Sequence, residues 1–155
     1  MARTSQRSIP MALFILALAL VAARFIVQGA KQHATGDGVR WMTVEEGLQL
    51  ARTSNKPILL DFTADWCAPC HQLDAQVFQD PKLARQINER FIPIRVVDRQ
   101  REEGRNSDEI AGLQQQFSVR GFPTVVIADR TRGERGRMEG FGGRAKFEQM
   151  MESVR

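Results

Sequence analysis

Hydrophobic and polar positions along this 155-residue chain fall into three regimes. In the first, Ile9 to Ala23 carry no charge, Arg24 interrupts, and Phe25 to Val27 extend the apolar run. No polar stripe divides this block, so it lacks the pattern of a soluble surface helix. Fifteen residues suit the core of a signal peptide, nineteen counted through Arg24 just span a bilayer, and Val21-Ala22-Ala23 offers a small-residue cleavage site. Residues 1–30 therefore read as a signal peptide or signal anchor. The anchor is expected, with membrane contact through residues 9–27. The second regime, residues 31–40, is a polar, glycine-bearing linker whose lone His33 reads as solvated.

From residue 41 the pattern changes element by element. Thr43-Val-Glu-Glu46 is a capping box that starts a helix to about Arg52, and Asn55-Lys56-Pro57 stops it. Pro57 to Phe62, PILLDF, is a short apolar run of the kind that forms a strand buried on both faces. Cys67 to Phe78 reads as helix, Asp80-Pro81 breaks it, and Lys82 to Glu89 continues with Leu83 and Ile87 at helical spacing. Phe91 to Val97 is a second strand, in which Pro93 implies an edge-like start or a bulge. Arg99 to Asp108 is a charged loop. Glu109 to Phe117 is a short helix, Thr124 to Ala128 a third strand, and Gly136 to Gly140 a fourth after a turn at Arg130 to Gly133. Lys146 to Val154 closes the chain with Phe147, Met150, Met151 and Val154 on one helix face. This order predicts an α/β domain over residues 41–155, a mixed sheet with helices on both faces.

Charge changes the picture only when divided by region. The net charge is +4, but three of the 22 basic residues lie in residues 1–30, which hold no acid; 19 remain against 18 acidic residues. The domain is nearly neutral. Nucleic acid is not an expected partner, because binding phosphates needs a basic face.

The chemistry is concentrated in DWCAPCH, Asp65 to His71, which contains both cysteines of the chain. Cys-x-x-Cys is the spacing of a redox dithiol, and Cys-x-x-Cys-His that of a covalently attached c-type haem. The motif follows a buried strand and opens a helix, where backbone amides and the helix dipole favour a thiolate at the first cysteine. That geometry favours the dithiol over a haem crevice. A metal site is not expected, since two cysteines and one nearby His leave a tetrahedral shell incomplete. Asp61 is an acid inside the apolar strand, a position where burial raises a carboxyl pKa. Pro69 restricts the turn between the cysteines. Gly121-Phe122-Pro123-Thr124 stands directly before a strand, where an X-Pro bond can be held cis.

Taken together, LLDFTADWCAPC, then VRGFPTVVI, then GRMEGFGGRAKFEQMM resemble thioredoxin-fold proteins over residues 41–155. The ADWC context, the VFQDPKL stretch and the helix before KPILLDF are similar to the C-terminal domains of the membrane-bound DsbD reductases. The resemblance implies a thioredoxin-like fold and an exported thiol-disulfide oxidoreductase, more readily a reductase than an oxidase or isomerase. It implies Cys67 as attacking thiolate, Cys70 as resolving thiol and Asp61 as the acid that exchanges a proton with Cys70. Trp66 would be a flanking platform, and Pro123 a cis-proline against which a partner docks, with Phe122, Ala68 and Pro69 beside it. His71 stands where Lys is common and would modulate the thiols. No cofactor is required. Partners would be protein disulfides or dithiols and a membrane or periplasmic electron donor. The expected location is extracytoplasmic, tethered to the inner membrane or cleaved and soluble. Two departures stand out: no proline kinks the helix between Gln72 and Phe78, and the Arg99 to Asp108 loop is longer than in small thioredoxins. A c-type haem protein and a non-catalytic assembly factor remain as alternatives.

Overall fold

A computed structural model describes residues 38–154. The apolar segment 9–27 and most of the linker lie outside the described residues. Among those described, no helix is long and apolar enough to cross a membrane.

Helix α1, Val44–Thr53, starts at the expected capping box: the Thr43 hydroxyl accepts from the Glu46 amide at 3.3 Å, and the Glu46 carboxylate accepts from the Thr43 amide at 3.1 Å. Strand β1, Ile58–Ala64, is buried along its whole length. It leads into helix α2, Ala68–Leu73, which runs on through a π turn at Asp74–Phe78. Helix α3, Pro81–Arg90, is capped by Asp80, whose carboxylate accepts from the Lys82 and Leu83 amides. Then come β2 Ile92–Asp98, α4 Gln100–Glu103, α5 Asp108–Gln116, β3 Thr124–Ala128, β4 Glu134–Glu139 and α6 Arg144–Ser153.

The four strands lie in the order β2-β1-β3-β4, with β1 and β2 parallel and the other pairs antiparallel. Alternation of side chains divides the core in two. Leu59, Val125, Ile127 and Met138 face one layer with Leu73, Val77, Phe78, Leu83, Ile87, Phe147, Met150 and Met151. Ile58, Leu60, Phe62, Ile92, Ile94, Val96, Val126 and Ala128 face the other, against Val44 and Ala51 of α1 and Leu113 and Phe117 of α5 or its end. Asp61 shares the odd-numbered face of β1 with Leu59, the face packed by the helix that carries the cysteines. Close packing of α1 rests on Gly47, where a Cβ would stand 2.3 Å from Ile94 Cγ1.

Several boundaries differ from the sequence reading. β1 continues two residues past Phe62 because Thr63 and Ala64 pair with Val97 and Asp98. β2 is an edge strand, which tolerates Pro93; there is no bulge at this position, and beyond it Met42 donates to the Pro93 carbonyl at 2.9 Å. β4 begins at Glu134; it has only Met138 fully buried, so its apolar pattern is faint. α6 begins at Arg144, after Gly143 at φ +91°. The charged loop contains a helical turn, α4. It is staked by Asp98, which is buried and accepts from Asn106 Nδ2, Gln114 Nε2 and the Gln100 amide.

Candidate active site

β1 delivers the chain to Cys67, the N-cap of α2. The Cys70 amide donates to Cys67 Sγ at 3.2 Å. A thiolate at this sulfur would be stabilised by that amide and by the positive end of the helical run from Ala68 to Phe78. Ala68 and Pro69 occupy the first turn, where a missing proline N–H costs no helical bond. Both are exposed. In this structure Cys67 and Cys70 are joined as a disulfide with their Cα atoms 5.3 Å apart. The pair is buried, packed on Ala64 and Phe122. A haem linked through both sulfurs would need them unbonded and facing an open crevice.

Opposite the disulfide, the Phe122-Pro123 peptide is cis. The turn is fixed by the Thr124 hydroxyl donating to the Gly121 carbonyl at 2.8 Å, and by the Gly140 amide donating to the Pro123 carbonyl at 2.8 Å. Phe122 meets Trp66 edge to face, with ring centroids 5.9 Å apart. Trp66 is 42% exposed, the most exposed aromatic of the site. The Arg101 guanidinium of α4 lies 3.6 Å above its ring, and Arg99 forms an ion pair with Asp65. The long loop thus holds the two residues that precede Cys67. His71 is exposed, and its Nε2 lies 2.9 Å from the Asp65 carbonyl. That contact ties it to the motif's first residue and not to a sulfur.

Asp61 is 2% exposed, and burial pushes its carboxyl up to about 7, against the opposing pull of Arg95. Arg95 Nε donates to Asp61 Oδ2 at 3.1 Å, and the same guanidinium bonds Asp74 on the π turn. Asp61 Oδ1 is buried without a hydrogen bond from any described residue. The structure therefore gathers Cys67, Cys70, Trp66, Phe122 and Pro123 around one disulfide, and sets Asp61 on the sheet face beneath the cysteine helix. Sequence reading missed Arg95, Asp74 and Arg101. The single cation within IPIRVV was a signal for the first, but its partner is fixed only by the parallel register Asp61↔Arg95. Among the described residues no cluster of His, Cys, Asp or Glu could hold a metal.

A buried strand feeding a Cys-x-x-Cys helix, faced by a cis-proline loop, defines a thiol-disulfide oxidoreductase of the α/β class. The model of the thioredoxin-like domain family matches residues 44–155, and the chain belongs to that family. It is 32% identical over 107 residues to the thiol:disulfide interchange protein DsbD of Yersinia pestis (strain Pestoides F), covering 68% of this chain but 17% of that one. The C-terminal domain of Neisseria meningitidis DsbD in its oxidised form matches with a TM-score of 0.56 and 26% identity, over 72% of this chain and 91% of that domain. A DsbH oxidoreductase matches in fold with a TM-score of 0.65 at 21% identity, over 99% of this chain and 94% of that one.

Proposed function

We infer that this chain is an exported reductase of protein disulfides, working through Cys67 and Cys70. One observation carries the reading: Cys67 Sγ sits at a helix N-cap under the Cys70 amide, where a thiolate is favoured. In the reduced protein the Cys67 thiolate attacks one sulfur of a partner disulfide, forming a mixed disulfide and releasing the other sulfur, which is protonated. Cys70 gives its proton to the Asp61 carboxylate and attacks Cys67 Sγ. The second partner sulfur leaves as a thiol, and the Cys67–Cys70 bond closes. Two electrons pass to the partner, whose two leaving thiolates take their protons from water, matching the proton Cys67 released on ionising and the one Cys70 left on Asp61.

Trp66, Phe122 and cis-Pro123 form the surface against which the partner chain docks, with Ala68 and Pro69 at its rim. His71 acts through the Asp65 carbonyl on the shape of the motif. The chain must then be re-reduced by a membrane or periplasmic dithiol donor, consistent with an N-terminal export segment that keeps the domain outside the cytoplasm. Support for the reductive direction comes from the similarity to DsbD, of which this chain spans 17% of the length. The test is the reduction potential of the full-length chain in dithiothreitol and glutathione buffers. A value near −270 mV or lower is expected. One near −120 mV would make it an oxidant.

A further inference from the structure

The aromatic platform beside the cysteines carries a cation. Trp66 meets Phe122 edge to face, and the Arg101 guanidinium covers the indole with its carbon 3.6 Å from the ring centroid. A partner chain that reaches Trp66 therefore meets a stack of indole and guanidinium, and not a bare ring. Stacking holds the planar fork in one orientation while its N–H groups stay directed outward around its rim.

The surrounding charges keep this guanidinium in place without occupying it. Arg99, two residues earlier, pairs with Asp65, so the loop and the motif are clipped together beside the stack. That ion pair also occupies the one acid of the motif. Asp98 is buried at the start of the loop and has its two oxygens on Asn106, Gln114 and the Gln100 amide, so it acts on Arg101 through space alone. Glu102 and Glu103 follow on the same turn of helix, where successive side chains do not face each other. Arg101 is exposed, and among the described residues its guanidinium has no hydrogen bond and no ion pair. A second cation belongs to the same end of the site: Arg120 stands two residues before Phe122, on the approach to cis-Pro123, exposed and likewise unpaired among the described residues. A stacked guanidinium with a free fork matches a carboxylate, which accepts two parallel N–H bonds from it.

We propose that Arg101 is a specificity residue that selects protein disulfides with an acidic residue beside the cysteine. The partner's carboxylate bonds the Arg101 fork as the partner chain settles on Trp66. The proposal rests on the reading of Trp66, Phe122 and Pro123 as the docking surface of a disulfide reductase, and it names the class of partner that this surface favours.

The test uses the full-length protein, reduced with dithiothreitol and then freed of it, and two disulfide-linked peptides labelled with a fluorophore and a quencher. The peptides are identical except for Glu or Gln beside the cysteine. Each single-turnover rate constant is divided by the rate of the same peptide with dithiothreitol alone, which removes the effect of the acid on the peptide's own sulfur. Wild type should reduce the Glu peptide about twofold to fivefold faster at low salt, as an exposed charge pair allows, and the advantage should vanish near about 1 M salt. Arg101→Gln should bring the ratio to about one, and Arg101→Glu should bring it below one. A general disturbance of the loop would slow both peptides and leave the ratio unmoved. A wild-type ratio of about one, with both peptides reduced, overturns the proposal and leaves the reductase reading standing. A ratio unchanged in both variants overturns the role of Arg101; should neither variant fold, a wild-type ratio indifferent to salt does the same. If neither peptide is reduced although thiol titration finds Cys67 and Cys70 reduced, the reductase reading fails and the proposal with it.

Discussion

Replacing Asp61 by Asn should stabilise the protein at neutral pH and do little in acid. The native carboxyl holds its proton up to about 7 against an ordinary value of 3.8, with burial as the main cause. The folded state thus binds a proton that the unfolded chain has already released. Asp61 favours folding fully below pH 3.8, and that contribution is lost as pH rises toward 7. A rise of about three pH units at about 1.4 kcal/mol each gives a loss of about 4 kcal/mol. Asn cannot ionise, so its variant escapes the loss. Contributions that do not vary with pH, including any altered packing, cancel when the wild-type minus variant difference is compared across pH. Urea unfolding of the oxidised full-length proteins at pH 4, 5.5, 7 and 8 measures this directly, with m-values checking that the unfolded states match. The stability advantage of Asp61→Asn should grow by about 2–4 kcal/mol from pH 4 to pH 8 and level off above 7. A difference that stays flat across the range would refute a buried, proton-holding Asp61.

Three further outcomes follow from other parts of the structure. Cys67→Ser should abolish disulfide reduction, whereas Cys70→Ser should leave Cys67 able to attack but not to be released, so that a mixed disulfide with a model partner accumulates on non-reducing gels. Asp98→Ala should cost about 2–4 kcal/mol by leaving Asn106, Gln114 and the Gln100 amide without their acceptor, as read by thermal unfolding. Burial opposes ionisation of Asp98, but these donors outweigh it and hold its carboxyl below 3.8, so its contribution should be present above pH 3.8 and fade as pH falls further. Gly47→Ala should destabilise by about 1–3 kcal/mol, because the new methyl meets Ile94, a fully buried side chain with no room to retreat.

The sequence by itself determined the order of elements, apart from the helical turn α4, and the chemistry of the motif. Both are local: a capping box at Thr43, breakers at Pro57 and Pro81, apolar runs of strand length, and two cysteines at the mouth of a helix declare themselves within a few residues. The acid in PILLDF was visible as an anomaly for the same reason. What only the tertiary structure decided are the long-range pairings. Arg95 meets Asp61 because β1 and β2 run parallel in one particular register, and a slip of one residue would have sent the arginine to the opposite face. Asp74 reaches that arginine through a π turn, which composition between Leu73 and Phe78 did not announce. Arg101 covers Trp66 because Asp98 gathers a loop that reads in sequence as solvated charge. In each case the deciding energy is the pairing of charges from segments distant in the chain, and neither periodicity nor propensity encodes which partner a charge will find once the sheet has closed.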